Sequence, residues 1–267
     1  MGDYDDETDV EQIAEGRWVT EMSTAWHIGD TANGGYVLAP VLRSIAAVAG
    51  DHPHPLSVTT HFLRPVREAG PATIEVELVR RGRIATVCRA TLSHGGQERM
   101  TVLATYGDLD TAVGGGSEMS LPPPDAPGPD ECFDRRALGQ GVELPILDRL
   151  DVRIHPDLAE PGGSPDAVMA GWIRFADGTE PSPPALTLFA DAFPPTLYSK
   201  FGRVGWVPTL ELTVHVRRRP APGWVQARFE CDDLAGGRMV ETGALWDSTG
   251  ALVARSRQLG VLLTDGP

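Results

Sequence analysis

The feature that most restricts the fold of this 267-residue chain is a repeated order of elements, an apolar helix followed by four strands, written twice. In the first copy, residues 35–49 place Val37, Val41, Ile45 and Val48 on one helical face, with Leu38, Leu42 and Ala49 beside them. So wide an apolar surface suits a helix wrapped by a sheet, not one lying half in water. Asn33-Gly34-Gly35 supplies a flexible entry, and Pro40 is expected to delay the regular helix or kink its first turns. Strands are predicted at 57–64, 72–80, 85–93 and 98–106, with a hairpin turn at Gly95-Gly96. The second copy predicts strands at 151–155 and 168–175. A helix over 185–193 follows, capped by Ser182 and stopped by Pro194-Pro195, and then strands at 209–217, 224–231, 237–246 and 252–263. His61-Phe62-Leu63-Arg64-Pro65 and His215-Val216-Arg217-Arg218-Arg219-Pro220 fall at equivalent points, and a glycine-marked turn precedes each final strand. The expected architecture is α+β: two antiparallel sheets, each wrapped around a central helix, in one chain. The expected units are 1–109 and 151–267, joined by a Pro/Gly-rich linker at 110–150 that contains Gly114-Gly115-Gly116-Ser117 and Pro122-Pro123-Pro124.

Composition removes several function classes. A net charge of −14 argues against a nucleic-acid partner, although a local arginine cluster can still meet a small anion. No apolar run approaches the roughly 20 residues of a membrane span, and the acidic start, Asp3 to Glu7, does not read as a secretory signal. Cys88, Cys132 and Cys231 form neither a disulfide framework nor a CxxC pair, so the cytoplasm is the expected compartment. There is no GxSxG, HExxH, calcium loop or dinucleotide fingerprint. Gly115-Gly116-Ser117 and Gly163-Ser164-Pro165 lack a strand–turn–helix frame. Neither a metal nor a cofactor is expected.

Three residues of the second copy remain as candidates. Asp191 sits late in its helix among Phe189, Ala190, Ala192 and Phe193, where the helix dipole and the apolar neighbours both disfavour a carboxylate. A solvated aspartate at a helix end fits the spacing equally well. Gln258 shares a strand face with Leu252, Ala254, Ser256 and Gly260, a narrow row in which an amide needs a partner, catalytic or structural. Strand parity places Thr209 with Glu211, Thr213 and His215, away from the apolar row of Leu210, Leu212, Val214 and Val216. It reaches the helix only if the strand is irregular near Pro208, or if that polar face meets the other half.

Taken together, these residues resemble the type II acyl-CoA thioesterases, a double-hotdog family. Thr209-Leu210-Glu211-Leu212-Thr213 is similar to that family's Thr-hydrophobic-Asp-His-Ser opening, with Glu211-Leu212 departing from its Asp-His. The run 252–261 is similar to its final strand, Asp191 falls at its helix aspartate, and Asn33-Gly34-Gly35 and the strand at His61–Pro65 match in the first half. The resemblance implies a double hotdog that hydrolyses an acyl-CoA or related acyl thioester, in fatty acid metabolism, with Asp191, Thr209 and Gln258 holding and polarising a water. It also implies a homo-oligomer, a dimer or higher. The backbone N–H groups of Gly34 and Gly35 are expected to face the thioester oxyanion. Arg64, Arg81 and Arg217 are candidates for the CoA phosphates, against the plainer role of solvated strand edges. Two other functions compete. One is a non-catalytic acyl or CoA binder. The other is an enoyl-thioester hydratase, disfavoured because Ile28-Gly29-Asp30-Thr31-Ala32-Asn33 lacks a following histidine.

Overall fold

The computed structural model describes residues 2–114, 118–139, 141–205 and 207–263; the Gly115-Gly116-Ser117 stretch lies outside them. Its strands are β1 (Glu11–Ala14), β2 (Arg17–Met22), β3 (His54–Phe62), β4 (Gly70–Arg81), β5 (Ala85–His94), β6 (Gln97–Gly107), β7 (Phe133–Asp134), β8 (Leu150–Ile154), β9 (Val168–Phe175), β10 (Thr209–Val216), β11 (Val225–Ala235), β12 (Arg238–Trp246) and β13 (Leu252–Val261). A two-stranded ribbon, His27–Ile28 with Thr31–Ala32, stands apart.

The two expected sheets are joined edge to edge. One antiparallel sheet of 13 strands runs β1-β2-β4-β5-β6-β3-β10-β13-β12-β11-β9-β8-β7, and the halves meet where β3 pairs with β10, for example Thr60 with Leu212 and Val58 with Val214. Read outward from that seam, the halves follow one plan: β3, β6, β5, β4, β2 on one side and β10, β13, β12, β11, β9 on the other. Edge pairing at the seam satisfies two rows of backbone groups that would otherwise be exposed.

Helix α1 (Gly34–Ala49) packs on the first-half strands, chiefly β4 and β5. Asn33 caps it by accepting from the Tyr36 N–H at 3.0 Å, so the regular helix begins at Gly34 and runs through Pro40 without the expected delay. An interior proline costs about 3 kcal/mol. Tyr36, Leu38, Val41, Leu42 and Ile45 are all buried, and each such side chain contributes about 1.5–3 kcal/mol, so packing outweighs the lost bond.

The second helix departs from expectation. Helix α2 (Ala185–Phe189) ends four residues early, and the N-cap position is held by Pro184, not Ser182. The residue before a proline is driven toward extended backbone, so Phe193 ahead of Pro194 pulls the chain out of the helix. A second short helix, α3 (Leu197–Phe201), follows Pro195. Helix α2 packs on α1.

The proline-rich connection is a strap. Trp172, Gln226 and Trp246, in register across β9, β11 and β12, donate to the carbonyls of Pro127, Pro124 and Leu121 at 2.9, 3.0 and 2.8 Å. The accepting carbonyls recur every three residues, the period of an extended proline helix. The same segment then adds β7 to the sheet edge and sends the Arg135 side chain into the interior.

Candidate active site

A cavity of about 330 Å³ opens at the seam, walled by the start of α1, the end of β3, the turn after α2, the α3 region and the inward faces of β10, β12 and β13. Asp191, Thr209 and Gln258 all line it, as do Gly34 and Arg64. Asp191 lies not within a helix but in the turn released by the early end of α2, with its N–H donating to Leu188 O at 3.0 Å.

The Asp191 carboxylate faces the N-terminus of α1 across the seam. Gly35 N–H donates to Oδ2 at 2.9 Å, and the Asn33 amide donates to the same oxygen at 3.0 Å and to the Asp191 carbonyl at 2.8 Å. A helix N-terminus presents unpaired donors and positive dipole, so it is a favourable seat for an anion. Only glycine permits the contact: a Cβ on Gly35 would lie 2.6 Å from Leu188 Cα and 3.1 Å from Thr187 O. The Gly35 N–H expected to face a thioester oxygen is therefore spent on the carboxylate, and the Gly34 N–H acts on the same group. Burial pushes the Asp191 carboxyl up to about 7, and the nearby charge of Glu241 pushes the same way, against the pull of the Gly35, Gly34 and Asn33 hydrogen bonds.

Thr209 reaches the cavity through a bulge. Thr209 pairs with Gly260 and Glu211 with Leu259, so Leu210 is an extra residue that reverses the side-chain alternation at the start of β10. The Gln258 amide then donates to the Thr209 hydroxyl at 2.6 Å. Gln258 is directly opposite the buried Leu212 on one side and Glu241 on the other, on the inward, small-residue row anticipated for it.

Asn33 and Glu241 are polar residues of the site that the sequence does not single out. Asn33 is both helix cap and Asp191 ligand; its place immediately before Gly34-Gly35 was the available signal. Glu241 lines the cavity and is buried, its Oε2 accepting from the Thr196 hydroxyl at 2.7 Å and the Thr196 N–H at 3.3 Å. Its signal was parity, since it shares the inward face of β12 with Met239, Gly243 and Leu245.

The arginine candidates separate. Arg64 lines the cavity and donates to Glu98 O at 3.1 Å. Arg81 instead caps the far end of α1, donating to Ala49 O and Val48 O at 2.9 and 2.6 Å, and neither it nor Arg217 is part of the cavity wall. Arg67, Arg99 and Arg203 join Arg64 in the lining. Arg135 also lines it, donating from a fully buried guanidinium to the Ala192 carbonyl beside Asp191.

Elsewhere, His54, Asp108 and Asp110 gather at one loop, but their atoms are taken up locally. Leu109 N–H donates to His54 Nδ1, Thr111 to Asp108, and Arg219 to both oxygens of Asp110. Among the described residues no helix is long and apolar enough to cross a membrane.

Two family models match successive stretches of the chain. Residues 22–107 match the family described as "Acyl-CoA thioesterase N-terminal domain" and residues 120–262 the one described as "Acyl-CoA thioesterase C-terminal domain". A crystal structure from Thermobifida fusca, assigned as a thioesterase II, is 30% identical, with a TM-score of 0.88 over 99% of this chain and 98% of that one. A hot dog fold protein from Alicyclobacillus acidocaldarius, 22% identical, superposes over the full length of both chains with a TM-score of 0.86. A relative from Mycobacterium tuberculosis is 26% identical over 265 residues, covering 91% of this chain and 89% of that one.

Proposed function

This chain belongs to the type II acyl-CoA thioesterase family, and we propose that it hydrolyses an acyl-CoA, or a closely related acyl thioester, to the free acid and thiol. We read it as a double hotdog with units at 1–109 and 151–267, joined by residues 110–150. The convergence of Asp191, Thr209 and Gln258 on one seam cavity is the observation that carries the proposal.

In this reading, a water sits between the Asp191 carboxylate and the Gln258–Thr209 pair. One Gln258 N–H is engaged by Thr209, which leaves its second N–H and the threonine hydroxyl to orient the water. Asp191 takes a proton as the water oxygen attacks the thioester carbonyl. The C–S bond then breaks, and the leaving thiolate takes that proton back from Asp191, which restores the base. A general base poised near neutrality combines a useful ionised fraction with adequate basicity, and such a base contributes about 10²–10⁴-fold. Gly34 and Gly35 support the carboxylate, not the oxyanion. Arg64, at the cavity wall, is assigned to the phosphates of the CoA moiety.

A hydratase would call for a histidine beside the aspartate, and no histidine lines the cavity among the described residues. Release of free thiol from acyl-CoAs of graded chain length tests the proposal. Wild type should turn over at least part of the series, and Asp191→Asn should fall about 100-fold or more. Undiminished hydrolysis by the variant removes Asp191 from the mechanism; saturable CoA binding without turnover in wild type makes the protein a binder.

A further inference from the structure

Glu241 is a second carboxyl group in a cavity that already holds Asp191. It comes from a different element, at the middle of β12, and stands directly opposite Gln258 in the β12–β13 register. Only 8% of it is exposed. Its Oε2 accepts from the N–H and the hydroxyl of Thr196, the residue that opens α3, so one backbone and one side-chain donor hold it in place. An apolar wall would need no such residue, and the corresponding inward row of β5 in the first half reads Cys88, Ala90, Leu92. A buried carboxylate costs several kcal/mol unless paired with a cation or neutralised by a proton. No ion pair involving Glu241 is formed among the described residues.

We propose that Glu241 is a positioning residue for the hydrolytic reaction, a second carboxyl in the Asp191 cavity whose charge sets the protonation state of the base. This rests on the thioesterase reading for its role, though the coupling itself does not. Two carboxylates confined to one small cavity resist being ionised together, so the pair loses its protons in two separated steps. Burial holds the Glu241 carboxyl above its ordinary range, with the Thr196 hydrogen bonds opposing, and its charge acts on Asp191 in the same upward sense.

The other ionisable groups around the pair do not titrate where it does. Tyr198 on α3 and Cys231, opposite Glu241 on β11, are both held above their ordinary ranges by burial. The remaining charges at the cavity, Arg135 and Arg203 beside the second-half wall and Arg64, Arg67 and Arg99 on the first-half wall, are arginines that stay protonated at neutral pH. A change in the acid limb of activity therefore belongs to the two carboxyls.

The test is the pH dependence of kcat/KM for wild type, Glu241→Gln and Glu241→Asp, with thermal melting as the folding control. Removing the charge with Glu241→Gln should move the acid limb down by at least half a pH unit, and Glu241→Asp should restore part of the shift. An acid limb at the wild-type pH in a folded Glu241→Gln overturns the proposal. A second measurement needs no substrate. The carboxyl C=O infrared band is titrated in wild type and Glu241→Gln. Because Glu241 ionises first, Asp191 should lose its proton at lower pH in Glu241→Gln than in the upper of the two wild-type steps. An unchanged midpoint overturns the coupling even if no acyl-CoA is ever turned over.

Discussion

The two halves share a strand plan but differ in what faces their helices. In the first, α1 is 16 residues long, and the strands below it present an apolar row, Met100, Val102 and Ala104 on β6. In the second, the helix stops after five residues, and the equivalent last strand presents Ala254, Ser256, Gln258 and Gly260, with Glu241 alongside on β12. The inward row of the first half is thus apolar and that of the second partly polar. The cavity lies where the turn after the short α2 meets the start of α1 and the end of β3, and the polar groups that line it are tolerated because ligand or solvent can reach them. The outer faces differ too, since the strap from Leu121 to Pro127 lies on the second half alone. The shared strand plan supplies the frame, and the differences between the halves make the site.

This comparison can be broken at several points. The largest effect, after loss of Asp191 itself, is expected from Gly35→Ala. Its methyl has no room against Leu188 and Thr187, so α1 and α2 must separate. Overpacking of this kind costs about 1–3 kcal/mol, read by denaturant titration, and turnover should fall at least tenfold because the Asp191 contact opens with it. Next come paired substitutions on the last strands. Gln258→Ala should lower kcat about tenfold with little change in stability. Val102→Ala, on the core-like counterpart, should cost about 1–3 kcal/mol of stability and leave kcat of the folded protein unchanged. Equal kcat losses in both would deny that the halves have divided their labour.

A third effect concerns pH. The folded-state Asp191 carboxyl lies near 7 and the unfolded one near 4. Between those values the folded protein binds the extra proton, so stability falls as pH rises through that window. Asp191→Asn does not share this loss, and its melting temperature should gain on wild type between pH 5 and pH 8. A constant difference would mean that the carboxyl is not raised. The smallest effects lie at the arginines. Arg64→Ala should raise KM for an acyl-CoA several-fold. Arg81→Ala should leave KM unchanged and cost about 0.3–1 kcal/mol through the C-terminus of α1.

Much of this was legible in the chain itself. Strand β9, from Val168 to Phe175, and the body of α1 follow from apolar periodicity and glycine punctuation. The inward row of Gln258 follows from alternation along one strand. What was passed over has local causes: β1 and β2 precede the first helix, and only Trp18, Thr20 and Met22 alternate as buried residues there. The sequence overextends the second helix because Ala190 to Phe193 suit a helix, whereas Pro194 and the tertiary contact of Arg135 with the Ala192 carbonyl decide otherwise.

Sequence alone determined which residues alternate, which turn and which stop, because these depend on neighbours a few positions away. Tertiary structure decided that the Asp191 carboxylate meets a helix start more than 150 residues distant, that a one-residue bulge at Leu210 turns Thr209 inward, and that Glu241 shares their cavity. Each of these depends on register or on contact across the seam, and strand pairing between distant segments leaves no trace in the periodicity of either one.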